Sequence, residues 1–439
     1  MGTKVAKFGG SSLATVAQID KVVRLIEADP QRRYLVVSAP GKQPGIEYKI
    51  TDLLYQAFEQ RHGDYAPILA SIRQRFEDIA AGLGVDVDLA PHFAQIEAGL
   101  THDDKPFYIA SRGEYLMGVM MAARLGWAFI DAADVVRFAP TGELMRQETD
   151  NRLARTLGAV SAAVVPGFYG ATADGTIKTF TRGGSDVTGS LVARAVDATV
   201  YENWTDVSGL YMADPRIVPS PRSIPQISYN ALRELTYLGA SVLHEDAVTP
   251  VREKGIPINI RNTDRPQDEG TWIEAHAAPP QPGDPAIIGL AGRCGYTALT
   301  IRKAQLSGSR GQGTQFIAML EQAGLVVDLV MTSVDRIALV TASAPLVPVE
   351  QDLLDRIALD LSPDAIRIRD GLALIGVVES AAVRRGEIAS RMAGALAAAG
   401  IELRLFDSGV GYMHIAVVDT AQYEQAIRAL YAELVEGRS

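Results

Sequence analysis

At 439 residues the chain is too long for one compact core and suits two or three domains. Its 47% apolar and 21% charged content is that of an ordinary globular protein, and a formal charge of −10 argues against general nucleic-acid or anionic-membrane partners, a local basic cleft aside. A single cysteine, Cys294, rules out an internal disulfide and fits a reducing cytoplasm; with six scattered histidines it offers no zinc site.

The opening stretch MGTKVAKFGG lacks a long apolar segment of the signal-peptide kind and reads as a buried strand entering a loop. Ala6 stands where an N-myristoylation signal at Gly2 would need Ser or Thr. No stretch approaches the roughly 18 apolar residues of a membrane span, so the expectation is a cytoplasmic protein. Lys7 precedes Gly9, Gly10, Ser11 and Ser12, whereas the familiar phosphate loop GxxxxGK[ST] has its lysine after the glycines. The loop is therefore either a plain turn or a phosphate cradle of another kind. Val16, Ile19, Val22, Val23 and Ile26 recur at helical spacing, and RRYLVVSAP follows as a second strand.

In ASRGEYL, Arg112 and Glu114 flank Gly113 just before a helix. An acid in a first helical turn is favourable with the helix dipole; alternatively Glu114 holds a substrate ammonium. TFTRGGSDVTGSLVARAV runs from a strand end through Arg182, a second glycine pair, Ser185 and Asp186 into a periodic helix. Ser185 or Asp186 can be its N-cap. The other reading is an anion site at a helix N-terminus, with Arg182 forked onto a carboxylate or phosphate. Two such loops on one sheet raise the case for phosphoryl transfer. WTDVSGLYMADPR, with Asp206, Tyr211 and Arg216, is either a hairpin with a proline exit or the wall of a purine-ribose site.

Val-rich strands separated by helices through residue 275 predict an α/β domain, a mostly parallel sheet with helices on both faces and ligands beyond the strands' carboxyl ends. Glu274 to Ala286, rich in Pro and Ala, reads as a linker. Beyond it, strands and helices over 297–369 form one βαββαβ unit, and a second over 372–434 lacks its last strand. A spare strand at 286–292 precedes both, so the first unit (about 294–370) is expected to be inserted in the second (286–292 plus 371–439), the pair occupying 286–439.

The blocks KFGGSSL, VVSAPGK, SRGE, TFTRGGSDVTGSL, WTDVSGLYMADPR, SYNALRELTYLGASVLHEDAV and IPINIRNTDRPQDEGTWI together resemble the aspartokinases, a branch of the amino-acid-kinase fold family, over essentially the whole chain. The C-terminal pair is similar to tandem ferredoxin-like ACT modules. The resemblance implies phosphorylation of the L-aspartate β-carboxylate by ATP and Mg2+ to 4-phospho-L-aspartate, the entry to lysine, threonine and methionine. It implies Lys7 and Asp186 as the catalytic pair, and Ser38, Thr51, Glu114, Arg182 and Ser185 around aspartate. It places Lys7, Gly9, Gly10, Ser11, Thr205, Asp206, Tyr211 and Arg216 at the nucleotide, and no protein-bound structural metal. Leu306, Ser309, Gly311, Val326, Val327, Asp328, Thr332 and Ser333 match segments that hold effector in lysine-sensitive relatives; their other reading is a strand end and a helix cap. Lysine is the expected inhibitor, threonine the second choice, and a homodimer or dimer of dimers the expected assembly.

A carboxylate with an ordinary pKa near 4 is ionised at neutral pH and needs no general base, so the lack of an obvious catalytic histidine is no objection. The chain departs from the pattern at Ser241, where many relatives have lysine, and at Val334, where a glutamate often stands. The loop from Gly41 to Leu54 is long and carries Lys42 and Lys49 as further cations. Two rival readings stay open: another amino-acid or nucleotide kinase of the same fold, and a catalytically inactive amino-acid sensor.

Overall fold

Alternation decides the first strand. In Lys4–Phe8, Ala6 and Phe8 point into the apolar core beside Leu35, Val37 and Trp204, while Lys7 points to the opposite face. A computed structural model of the chain describes residues 2–102, 105–181, 183–240, 243, 245–277, 283–304, 306, 311–380, 385–408 and 412–437. It divides into two units, one of residues 1–210, 223–236 and 241–278, the other of 211–222, 237–240 and 279–439.

The first stretch of chain runs β1 (Lys4–Phe8), α1 (Val16–Glu27), β2 (Arg32–Val37), α2 (Ile50–Glu59), α3 (Ala66–Leu83), α4 (Ala90–Leu100), α5 (Pro106–Leu125), β3 (Ala128–Phe129), α6 (Ala132–Val135) and α7 (Arg146–Gly158). It continues with β4 (Ala163–Pro166), β5 (Tyr169–Ala171), β6 (Ile177–Thr179), α8 (Gly184–Ala195), β7 (Val200–Thr205), β8 (Leu210–Tyr211), β9 (Ser223–Ile224), β10 (Gln226–Ser228), α9 (Tyr229–Tyr237), α10 (Glu245–Arg252), β11 (Ile258–Asn262) and β12 (Thr271–Glu274). Eight strands form one sheet in the order β10-β12-β11-β7-β1-β2-β4-β3, parallel except between β11 and β12. The expected parallel α/β architecture is the one found. Helices α1 to α5 cover one face in a single apolar core, and α8 covers the other.

On the first face, the Arg32 guanidinium meets Glu202 through Nε at 2.6 Å and Nη2 at 3.2 Å, and Trp204 Nε1 donates to Glu202 at 3.0 Å. Phe8 stacks on Trp204 with ring centroids 5.6 Å apart, and Arg261 lies over the same indole. This buried, paired charge sits directly below the ends of β1 and β7 that carry the loops of interest.

The second unit contains β13 (Ile287–Arg302), α11 (Gln312–Gln322), β14 (Leu329–Thr332), β15 (Arg336–Ala342), α12 (Ser343–Leu346), α13 (Glu350–Leu361), β16 (Ala365–Glu379), α14 (Arg385–Ala398), β17 (Leu405–Asp407), β18 (Met413–Asp419) and α15 (Tyr423–Leu434). Its six strands make one antiparallel sheet, β14-β15-β13-β16-β18-β17. The spare strand read at 286–292 and the first strand of the unit read over 297–369 are one continuous strand, β13. Its first half, Ile287–Cys294, pairs with Ala373–Glu379 of β16, and its second half pairs with β15 and with Ala365–Arg369. Gly295 and Gly371 take φ of +87° and +67° at the junctions of the halves, so each long strand changes direction where only glycine relaxes easily. β17 is short, and just before it Arg404 N–H still reaches the Val417 carbonyl of β18 at 2.8 Å. Among the described residues no helix is long and apolar enough to cross a membrane.

Candidate active site

The carboxyl ends of β1, β2 and β7 and the start of α8 converge on one carboxylate. Lys7 is 7% exposed, and its Nζ lies 2.6 Å from Asp186 Oδ1. Gly9 donates its N–H to the Trp204 carbonyl at 3.1 Å, which holds the loop open above Lys7. A Cβ at Gly9 would lie 3.7 Å from Lys7 Nζ, and one at Gly10 only 2.8 Å from the Ala39 carbonyl oxygen. Gly10 is thus needed for the close packing of this loop on the one after β2, whereas Gly9 leaves room beside the Lys7 ammonium. Gly10 opens a short 3-10 turn through Leu13 containing Ser11 and Ser12, and Gly41 N–H returns to Gly10 O at 2.8 Å. From α3, Arg75 donates to the carbonyls of Gly41, Ala14 and Tyr48, tying this loop to the long one after β2.

Two local readings need correction. The N-cap of α8 is Gly183, in the left-handed conformation; Ser185 and Asp186 lie inside the first turn, where backbone N–H groups and the dipole favour negative charge. Glu114 is not near a helix start. It sits midway along α5, whose surface is buried nearly all round, so no amphipathic period marked the helix in the sequence.

Glu114 is 5% exposed, and its Oε2 is buried without a hydrogen-bond partner among the described residues. Burial raises its pKa from 4.5 to about 8, against the opposing N–H of Ala39 and the more distant Arg112. The neighbouring Tyr55, one turn along α2 from Thr51, has its hydroxyl raised by burial and by the Glu114 charge, with a hydrogen bond from Thr179 lowering it. Ala39, just past Ser38, joins the two halves: its N–H serves Glu114 and its carbonyl borders Gly10. Ser185 is buried, and Gly167 packs beneath it, where a Cβ would approach within 2.7 Å. Phe168 takes a φ of +79°, a strained state for a bulky side chain, and its N–H is held by Thr188 at 3.2 Å.

Lys7, Gly9, Gly10, Ser11, Ser38, Thr51, Glu114, Ser185 and Asp186 thus belong to one rim of the first unit. Thr205 and Asp206 end β7 on the same sheet, hydrogen-bonded to each other at 3.1 Å. Tyr211 and Arg216 belong to the second unit, where Arg216 is 87% exposed and forks onto Asp214. Arg182, Ser241 and Ser309 lie outside the described residues. Lys42 and Lys49 are exposed.

Sequence reading missed Tyr201 and Asn203 of β7, which face α8. The available signal was the polar residue at an inward position of a strand buried on both sides.

The sequence model of the amino acid kinase family matches residues 2–262. Aspartokinase 3 of Bacillus subtilis is 31% identical over 99% of this chain and 99% of its own. The chain belongs to the amino acid kinase family, among its aspartokinases. Lysine-sensitive aspartokinase 3 of Escherichia coli is 25% identical over 98% of the chain and 99% of its own length. The crystal structure of Clostridium acetobutylicum aspartate kinase is similar with a TM-score of 0.88 at 37% identity, covering 99% of this chain and all of that one. E. coli aspartokinase III in complex with aspartate and ADP shares the fold, with a TM-score of 0.78 at 24% identity over 98% and 99%. The likeness runs the length of this aspartokinase, antiparallel second unit included.

In that unit Asp328 accepts from the Tyr237 hydroxyl at 3.2 Å, and burial raises its pKa above the ordinary range. Val326 is exposed, Leu306 and Val327 join the core below, Gly311 caps α11, and Thr332 and Ser333 end β14.

Proposed function

We propose that the β-carboxylate of L-aspartate attacks the γ-phosphorus of ATP at the Lys7–Asp186 rim, forming 4-phospho-L-aspartate as the bond to the departing ADP oxygen breaks. The nucleophile arrives ionised, so the protein's work is to cancel repulsion between two anions. Lys7 neutralises the transferring phosphoryl group, and Asp186 keeps that ammonium aimed. The α8 N-terminus with Ser185 offers N–H donors, and Arg182 is the cation in sequence next to it. The observation that carries this reading is the buried Glu114 Oε2, which has no partner among the described residues and suits the ammonium of the substrate.

The room left by Gly9 beside the Lys7 ammonium fits a nucleotide phosphate, with Thr205 and Asp206 at the end of neighbouring β7 for the nucleoside. Mg2+ carried with ATP would lower the charge on the phosphates. ADP bound to E. coli aspartokinase III supports ATP as donor.

Lysine is the proposed inhibitor, bound at β14 with its ammonium on Asp328 and glycine-led α11 beside it; threonine is the second choice. The E. coli relative named lysine-sensitive supports this choice. The pairing of β13 supports 294–370 as a module inserted in the second ACT module, and the edge strands β14 and β17 suit a homodimer or dimer of dimers.

Hydroxylamine trapping of the acyl phosphate from purified protein, ATP, Mg2+ and L-aspartate tests the reaction, with Lys7→Ala as blank. Signal lost in the blank is expected. No signal from folded, ATP-binding wild type would return the chain to the inactive-sensor reading.

A further inference from the structure

Strand β7 alternates Tyr201 and Asn203 toward α8 with Glu202 and Trp204 toward the opposite core. Asn203 is the register partner of Lys7 on β1 and is 4% exposed. Its Nδ2 donates to Asp186 Oδ1 at 2.6 Å, the same oxygen that holds the Lys7 ammonium at 2.6 Å. Tyr201 Oη donates to the Asp186 carbonyl at 3.0 Å, fixing the backbone that bears this carboxylate.

We propose that Asn203 is a positioning residue for phosphoryl transfer, its amide locking the Asp186 carboxylate in the orientation that aims Lys7 at the reacting phosphoryl group. The proposal rests on the assignment of Lys7 and Asp186 to that end of the site. Packing alone does not account for an amide here. The position is inward on a strand whose neighbours are buried, and a buried amide without partners is costly where an apolar side chain is not.

The residue type fits the task. A carboxylate turns about a broad terminal torsion, and one bond to a long, flexible lysine leaves that torsion undetermined. A second donor on a rigid strand determines it. A cation at 203 would neutralise Asp186 and compete with Lys7 for it, and a second carboxylate would repel it. A neutral amide restrains Asp186 while leaving its full charge to Lys7.

Two variants test this, each assayed for kcat, both KM values, thermal melting and pH profile. Asn203→Leu should lower kcat about 10- to 100-fold, as misaimed groups do, with both KM values within about twofold and melting unchanged. In Asn203→Asp two carboxyl groups at hydrogen-bond distance share a proton, and the protonated form donates to Asp186 as the amide did. Its activity should therefore recover at acid pH and fall as pH rises, a limb the wild type lacks. If Asn203→Leu does not fold, the Asn203→Asp profile decides alone. A kcat for Asn203→Leu within about twofold of wild type, or an Asn203→Asp profile parallel to wild type, would overturn the proposal. An active Lys7→Ala sinks the site assignment itself, whereas an inactive Lys7→Ala beside a fully active Asn203→Leu sinks only the role of Asn203.

Discussion

A carboxyl group buried in the middle of α5 is comfortable only while neutral, which makes Glu114 a weak point of the first unit, and under the proposed function it is also the group that receives the aspartate ammonium. With a folded pKa near 8 against 4.5 ordinarily, it keeps a proton that the unfolded chain has released across that window. The contribution of Glu114 to stability is therefore fullest below 4.5 and is lost as pH rises through 8, by no more than about 5 kcal/mol for a shift of this size. Glu114→Gln should raise the melting temperature above pH 8 and leave it unchanged near pH 4.5, a comparison that differential scanning at the two pH values makes directly. The same variant should lose on the order of 100-fold in kcat/KM for aspartate, because a neutral amide does not compensate an ammonium. In the wild type, aspartate binding below pH 8 should release a proton from Glu114. Calorimetry in buffers of different ionisation enthalpy measures it, and zero release would mean that the ammonium lies elsewhere.

At the scale of elements, the loops after β1 and β2 are short of regular structure and depend on α3 for their geometry. Arg75 donates to three carbonyls in them, at 2.6 Å for Gly41, 3.1 Å for Ala14 and 3.0 Å for Tyr48. Arg75→Ala should leave the helices intact yet lower kcat about tenfold, with faster amide exchange confined to residues 9–14 and 41–48. Exchange unchanged in those stretches would show that the loops hold themselves. Gly167→Ala acts on the other wall: its Cβ would come within 2.7 Å of Ser185, so the start of α8 must shift. A destabilisation of about 1–3 kcal/mol by chemical denaturation is expected, along with weakened catalysis.

At the scale of the whole molecule, regulation has its candidate in the second unit. Asp328 is half-buried, raised in pKa, and bound to the hydroxyl of Tyr237, the last residue of α9, whose earlier residues belong to the first unit. An effector ammonium on Asp328 would take over that hydroxyl's place. Asp328→Asn should raise the lysine concentration for half inhibition by about tenfold or more while basal kcat is kept. Equal inhibition of variant and wild type by lysine would remove Asp328 from the effector site, and inhibition by threonine alone would shift the proposal to the second choice.

Much of this aspartokinase is legible in the chain itself, because what the local sequence dictates is read locally. Strand periodicity and the glycine pairs at Gly9–Gly10 and Gly183–Gly184 follow from short stretches whose chemistry does not depend on distant partners, and likeness to the family's motifs singled out Lys7, Glu114 and Asp186. Tertiary structure decided the rest. Glu114 proved to be mid-helix because a helix buried on every side shows no polar face to mark it. The two stretches of β13 proved to be one strand because antiparallel pairing with the nearly as long β16 resumes beyond Gly295 after a register shift. Asn203 entered the site only through register: a parallel ladder set it beside Lys7, nearly 200 residues away in sequence, and no local pattern encodes which strand becomes the neighbour.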